Sequence, residues 1–149
     1  MPTPTLPDKL SYWIDHRINV LFRGRHGVGK TAIVQQAFES AGLQWRRFSA
    51  QRFKLDEVFE DVSVEALFFD DLERLPKKVR GTVMDLVRDG SERLPSLKIV
   101  WGAVAVAEDD VDEFDLESVE PFDVTVDVPV RPQEALIVGS GRYFMGKAR

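Results

Sequence analysis

One stretch of eight residues constrains this chain more than any other. Gly24-Arg25-His26-Gly27-Val28-Gly29-Lys30-Thr31 fits the pattern G-x-x-x-x-G-K-S/T. It follows a short β-branched and aromatic run, Ile18 to Phe22, that reads as a buried strand. It opens a segment with helical spacing, Thr31 to Ala41, whose stripe is Ile33, Val34, Ala37, Phe38 and Ala41. Glycines adopt backbone angles that other residues resist, and they let main-chain N–H groups close around phosphate oxygens. The helix that follows turns its positive end to the same anion. In such a loop Lys30 pairs with the β- and γ-phosphates and the Thr31 hydroxyl serves Mg²⁺. A glycine turn that merely contains Lys-Thr would need neither the strand before it nor the helix after it. Gly24, Arg25, His26, Gly27, Val28, Gly29, Lys30 and Thr31 are therefore the predicted phosphate-binding residues of a P-loop nucleotide-binding domain. His26 stands at a variable position of the pattern and receives no role of its own.

The rest of the chain alternates strands and helices. Asp8 to His16 reads as a short helix with Leu10, Trp13 and Ile14 on one side, and Gln44 to Ser49 as a second strand. Leu55 to Val62 is ambiguous, a short helix at most. Ala66 to Phe69 reads as a central strand, Lys77 to Asp89 as a helix ended by Gly90, Leu97 to Val106 as the longest buried strand, and Phe122 to Val128 as a last, alternating one. Pro132 to Leu136 is read as the start of a final helical turn, broken by Gly139-Ser140-Gly141. This order predicts an α/β domain with about five strands, mainly parallel, covered by helices on both faces.

A P-loop enzyme also needs an acid on a neighbouring strand to hold water on the metal. Leu67-Phe68-Phe69-Asp70-Asp71 ends an apolar strand in two carboxylates about 40 residues past the loop. Asp70 is the predicted metal-side acid. Asp71 is the predicted catalytic residue, placed where a base orients the attacking water. An acid pair facing solvent at a helix start is the plainer alternative, and the position at a strand end after a P-loop argues against it.

Bulk properties agree with one domain of this kind. The 149 residues suffice for a single core, and the chain has no cysteine, which removes disulfides, thiolate metal sites and cysteine nucleophiles. The sequence shows no secretory signal and no apolar run of the roughly 20 residues that a membrane helix needs. The expected setting is cytoplasmic, with no membrane partner. A net charge of −5 gives no general attraction to nucleic acid, and Arg46-Arg47 and Lys77-Lys78 are too small as basic clusters to supply it. Glu108 to Glu120 is acidic throughout, without Lys or Arg, and reads as a solvated loop rather than a cation or partner site. Trp13 is read as a core residue, while Tyr12-Trp13 could also lie against an adenine base.

The loop motif, Phe68-Phe69-Asp70-Asp71-Leu72-Glu73-Arg74 and Lys77-Lys78-Val79-Arg80 together resemble the MoxR-like branch of the AAA+ P-loop ATPases, in particular short phage- and bacteria-encoded members. The resemblance runs unevenly from about Trp13 to Val130. It implies a three-layer domain with a five-stranded sheet in the order 5-1-4-3-2. It also implies ATP or ADP with Mg²⁺ as ligand and assembly into rings, with Thr31 and Asp70 serving the metal and Asp71 the water. The departures from the family are specific. The family has Glu where Asp71 stands. Its polar sensor ends a strand that here reads Trp101-Gly102-Ala103-Val104-Ala105-Val106, with no polar side chain after Trp101. Its arginine finger, worth about 10³–10⁵ in rate, falls where this sequence reads Glu120-Pro121-Phe122. Residues 1–149 are expected to be one nucleotide-binding domain without a separate helical lid, and neither Arg131, Arg142 nor Arg149 is assigned a sensor role. The expectation is an ATP-binding protein with slow or partner-dependent hydrolysis, used to remodel or assemble a protein complex with a protein partner or as an oligomer. The alternative is a nucleotide-binding but catalytically inactive subunit of a larger, possibly phage, assembly.

Overall fold

Apolar side chains that alternate between the two faces of a strand can feed two cores at once, and the computed structural model is built this way. It describes residues 6–25, 29–49, 54–105, 121–128, 136–139 and 142–145. In chain order these form α1 (Leu6–Asp15), β1 (Val20–Gly24), α2 (Lys30–Ser40), β2 (Trp45–Ser49), α3 (Leu55–Val58) and β3 (Ala66–Asp70). A 3-10 turn (Leu72–Arg74) follows, then α4 (Lys77–Arg93), β4 (Ile99–Ala105), β5 (Val124–Asp127), β6 (Leu136–Gly139) and β7 (Arg142–Met145). Alternate residues of the strands enter different clusters. Val20, Phe22, Phe68, Trp101 and Val126 pack with α1 and α2, while Leu21, Leu67, Phe69, Val100 and Val104 pack with α4. Both faces of the sheet are thus covered, as the near-continuous apolar runs predict.

The sheet order is β2-β3-β4-β1-β5-β7-β6. Its first five strands are parallel and, read from β5, run 5-1-4-3-2 as the resemblance implies. Two further short strands extend this expected five-strand core, so the sheet has seven. β7 pairs in parallel with β5, and β6 pairs antiparallel with β7. Leu136, expected in a final helical turn, instead opens β6. Leu136-Ile137-Val138 and Tyr143-Phe144 are aliphatic, β-branched and aromatic, the residues that suit a pleated surface. Glycine flanked by such runs marks a hairpin rather than the end of a helix.

A second correction concerns α4, which does not stop before Gly90 but continues to Arg93 with a kink at Asp89 (φ −133°, ψ 23°). Gly90 is there for closeness: a Cβ at this position would lie 2.6 Å from Leu97 Cδ2. β1 starts two residues later than expected and reaches Gly24. Before it, the Ile18 carbonyl accepts the Trp101 indole N–H at 2.9 Å and the Asn19 side chain joins β4 to α4 through Val100 N and Val87 O. These bonds set the height of β1, so its carboxyl end opens beside those of β3 and β4. In open α/β sheets ligands bind at that edge.

Candidate functional site

α2 begins at Lys30, directly after Gly29, whose φ of 91° is a left-handed conformation that glycine takes without penalty. His26, Gly27 and Val28 lie outside the described residues. The Lys30 side chain is buried and turns back on the loop, donating to the carbonyls of Gly24 (2.7 Å) and Arg25 (2.8 Å). Burial pushes its ammonium below the usual lysine range, and the carboxylates of Asp70, Glu73 and Asp71, in that order, pull it back up. Lys30 is thus a cation held at the mouth of the loop by neutral acceptors. An arriving anion would be a stronger partner than either carbonyl.

Thr31 stands one residue on. Its hydroxyl donates to Asp70 Oδ2 at 3.0 Å, so the loop and the end of β3 meet as the sequence predicts. A hydroxyl and a carboxylate are hard oxygen donors and fit Mg²⁺. Among the described residues no group of three or more His, Cys, Asp or Glu gathers into a metal cage. Mg²⁺ is usually held without such a cage, by one or two carboxylates together with substrate phosphates.

Both oxygens of Asp70 are already engaged. Oδ1 accepts the N–H of Asp71 at 2.9 Å, and Oδ2 accepts Arg47 Nη2 at 2.7 Å besides Thr31. Arg47 was read from sequence only as part of a small basic cluster. It stands on β2 two residues before Ser49, which pairs with Asp70 across the sheet, so both side chains share the α2 face. Its guanidinium would compete with any metal ion for the same carboxylate. The Arg47 side chain is 46% exposed, so the pair is a weak one. Arg47→Ala is expected to lower the Mg²⁺ concentration that half-saturates nucleotide binding by about two- to fivefold; an unchanged or higher half-point would contradict the competition.

Asp71, directly after Asp70 at the end of β3, has φ 53° and ψ 44°. This left-handed conformation is uncommon outside glycine, though Asp is among the residues that tolerate it. It turns the Asp71 N–H back to Asp70 and starts the 3-10 turn. The turn carries Glu73, a residue without an assigned role in the sequence reading. Glu73 Oε1 accepts the N–H of Ala105, the last residue of β4, at 2.6 Å. The strand, which has no polar side chain after Trp101, therefore ends on a carboxylate from its neighbour. Phe122, near the expected place of an arginine finger, is buried against Gly102; Glu120 and the rest of the acidic segment lie outside the described residues. Trp13 is a core residue as read, and Tyr12 stacks on His16 with ring centroids 4.0 Å apart. Among the described residues no helix is long and apolar enough to cross a membrane.

No known family model matches the sequence, and no curated protein matches it. Solved structures share the fold. A DNA replication initiation factor superposes with a TM-score of 0.56 at 20% identity, over 80% of this chain and 44% of its own. Cdc6p from Pyrobaculum aerophilum gives 0.58 at 14% identity, over 85% and 46%. NtrX from Brucella abortus in complex with ATP gives 0.56 at 15% identity, over 87% and 38%. This chain spans less than half the length of each. The likeness is one of fold, and that fold is the AAA+-type P-loop architecture.

Proposed function

We propose that this chain is a nucleotide-binding AAA+-type module of the MoxR-like branch, with residues 1–149 as a single domain that binds ATP or ADP with Mg²⁺ in a cytoplasmic setting. The observation that carries this reading is the 3.0 Å bond between Thr31 and Asp70. It joins the two motifs that a magnesium-nucleotide requires, 39 residues apart in sequence. In this reading the loop from Gly24 to Gly29 wraps the phosphates with its N–H groups and Lys30 moves from its carbonyls to the β- and γ-phosphates. Thr31 and Asp70 would hold the ion, whose contribution is to neutralise charge on the phosphate oxygens. The ATP complex of NtrX, which has the same fold, supports the choice of nucleotide.

Hydrolysis by the chain alone is proposed to be slow, because the sequence reads Glu120-Pro121-Phe122 where the resembled family carries its arginine finger. A protein partner or a second subunit would supply it, and the work done would be the remodelling or assembly of a protein complex. The Arg47–Asp70 pair favours a second reading, in which the nucleotide is held without turnover. Phosphate release from Mg-ATP, measured with protein in excess, separates the two. The expected result is a release rate of about 10⁻² s⁻¹ or less, against a typical enzyme rate of about 10 s⁻¹. Release at the typical rate would contradict the dependence on a partner, and no release over hours would favour the second reading.

A further inference from the structure

The carboxylate proposed to serve the metal is held by a cation of the chain itself. Asp70 Oδ2 accepts Arg47 Nη2 at 2.7 Å and the Thr31 hydroxyl at 3.0 Å. Strand register puts Arg47 there. Along β2 and β3, Arg47 pairs with Phe68 and Ser49 with Asp70, so Arg47, Phe68 and Asp70 follow one face of the sheet. Phe68 lies in the core shared with α2, and α2 carries Lys30 and Thr31 in its first turn. We propose that Arg47 sets the metal requirement of the nucleotide site: its guanidinium neutralises Asp70 when no metal does, so the chain accepts and retains a metal-free nucleoside diphosphate. The inference rests on the nucleotide-binding reading above and deepens it.

A metal-free nucleoside diphosphate brings several negative charges to a loop whose cation is Lys30. Among the carboxylates around Lys30, Asp70 acts on the ammonium most strongly. A carboxylate that attracts Lys30 repels a phosphate held on Lys30 for the same reason. Two groups can offset that charge: a divalent ion on Thr31 and Asp70, or the guanidinium already at 2.7 Å. Without either, Asp70 would keep only the Thr31 hydroxyl and the Asp71 N–H. Both are neutral donors, and they leave the charge in place. Arginine suits the task because it stays protonated throughout the physiological range. The pair is also half exposed and weak. It can give way to an arriving ion and close again when the ion leaves.

The test is the affinity for ADP, by calorimetry on the full chain, with saturating Mg²⁺ and again with Mg²⁺ chelated. The readout does not depend on hydrolysis. Wild type is expected to bind ADP in both conditions, more weakly without metal. Arg47→Ala is expected to lose about tenfold in metal-free affinity and to lose nothing with saturating Mg²⁺. Arg47→Lys keeps the charge and should stay within about threefold of wild type in both. The double variant Arg47→Ala/Asp70→Asn should recover the metal-free affinity of wild type, since the charge to be neutralised has gone. A merely structural role for Arg47 would lower both affinities alike and would not be rescued by Asp70→Asn. The inference is overturned if Arg47→Ala matches wild type without metal, if it loses as much with metal, or if the double variant stays as weak as the single one. It is overturned, too, if wild type binds ADP only with Mg²⁺, an outcome that leaves the nucleotide-binding reading standing. A wild type that binds ADP in neither condition overturns both.

Discussion

Lys30→Ala is expected to weaken Mg-ATP binding by about 10²–10⁴-fold while leaving the fold intact. Lys30 now makes two charge-assisted bonds to loop carbonyls, at 2.7 and 2.8 Å. In the proposed nucleotide complex it would exchange them for two phosphate oxygens. Hydrogen bonds to charged groups contribute about 1.5–3 kcal/mol each, so losing two weakens binding by about 3–6 kcal/mol, which is the stated range. The fold should not suffer in the same way. The carbonyls of Gly24 and Arg25 lie at the mouth of the site, where water can replace the ammonium, and removing a buried cation also removes its desolvation cost. Titration of wild type and variant, with an unfolding curve for each, checks both halves. A tenfold loss or less would mean that Lys30 stays on its carbonyls and the phosphates lie elsewhere.

Phe38→Ala is the largest effect expected on stability. Phe38 is on α2, fully buried, with its ring centroid 4.8 Å from Trp101 of β4 and 5.5 Å from Trp45 of β2. Truncating a buried phenylalanine costs about 3–5 kcal/mol through lost transfer energy and the cavity left behind. A domain of this size has only about 5–15 kcal/mol to lose. With a urea dependence of about 1–3 kcal/mol per molar, the unfolding midpoint should fall by about 1 M or more. The same helix presents Lys30 and Thr31 at its first turn, so nucleotide affinity should fall along with stability. A midpoint shift below about 0.5 M would show that this ring does not seat α2 on the sheet.

The parts of the site that were legible in sequence are those whose signal is local. The glycine spacing, Lys30 and Thr31 are contiguous, and Asp70 ends a short apolar run whose place after a P-loop favours a strand. The parallel five-strand core followed from alternation of elements and from the resemblance. Arg47 and Glu73 were missed because their roles depend on register. Nothing near Arg47 in sequence says that Ser49 pairs with Asp70, and only that pairing sets Arg47 beside the carboxylate. Glu73 needed the close approach of Leu72 to Gly102, a long-range contact between a turn and a strand. β6 and β7 were missed for a different reason: four-residue strands are too short for periodicity to separate from a helical turn. The helix end at Gly90 failed because glycine was read as a stop where its use is close packing against Leu97.

The most direct test of the central claim is calorimetric titration of Mg-ATP into the wild-type protein, repeated with Mg²⁺ chelated. The expected result is saturable binding of one nucleotide per chain that weakens when the metal is withdrawn, since Thr31 and Asp70 would act through it. Absence of saturable binding with Mg²⁺ present would contradict it, and would leave the loop, Lys30 and Asp70 as parts of a fold that serves another purpose.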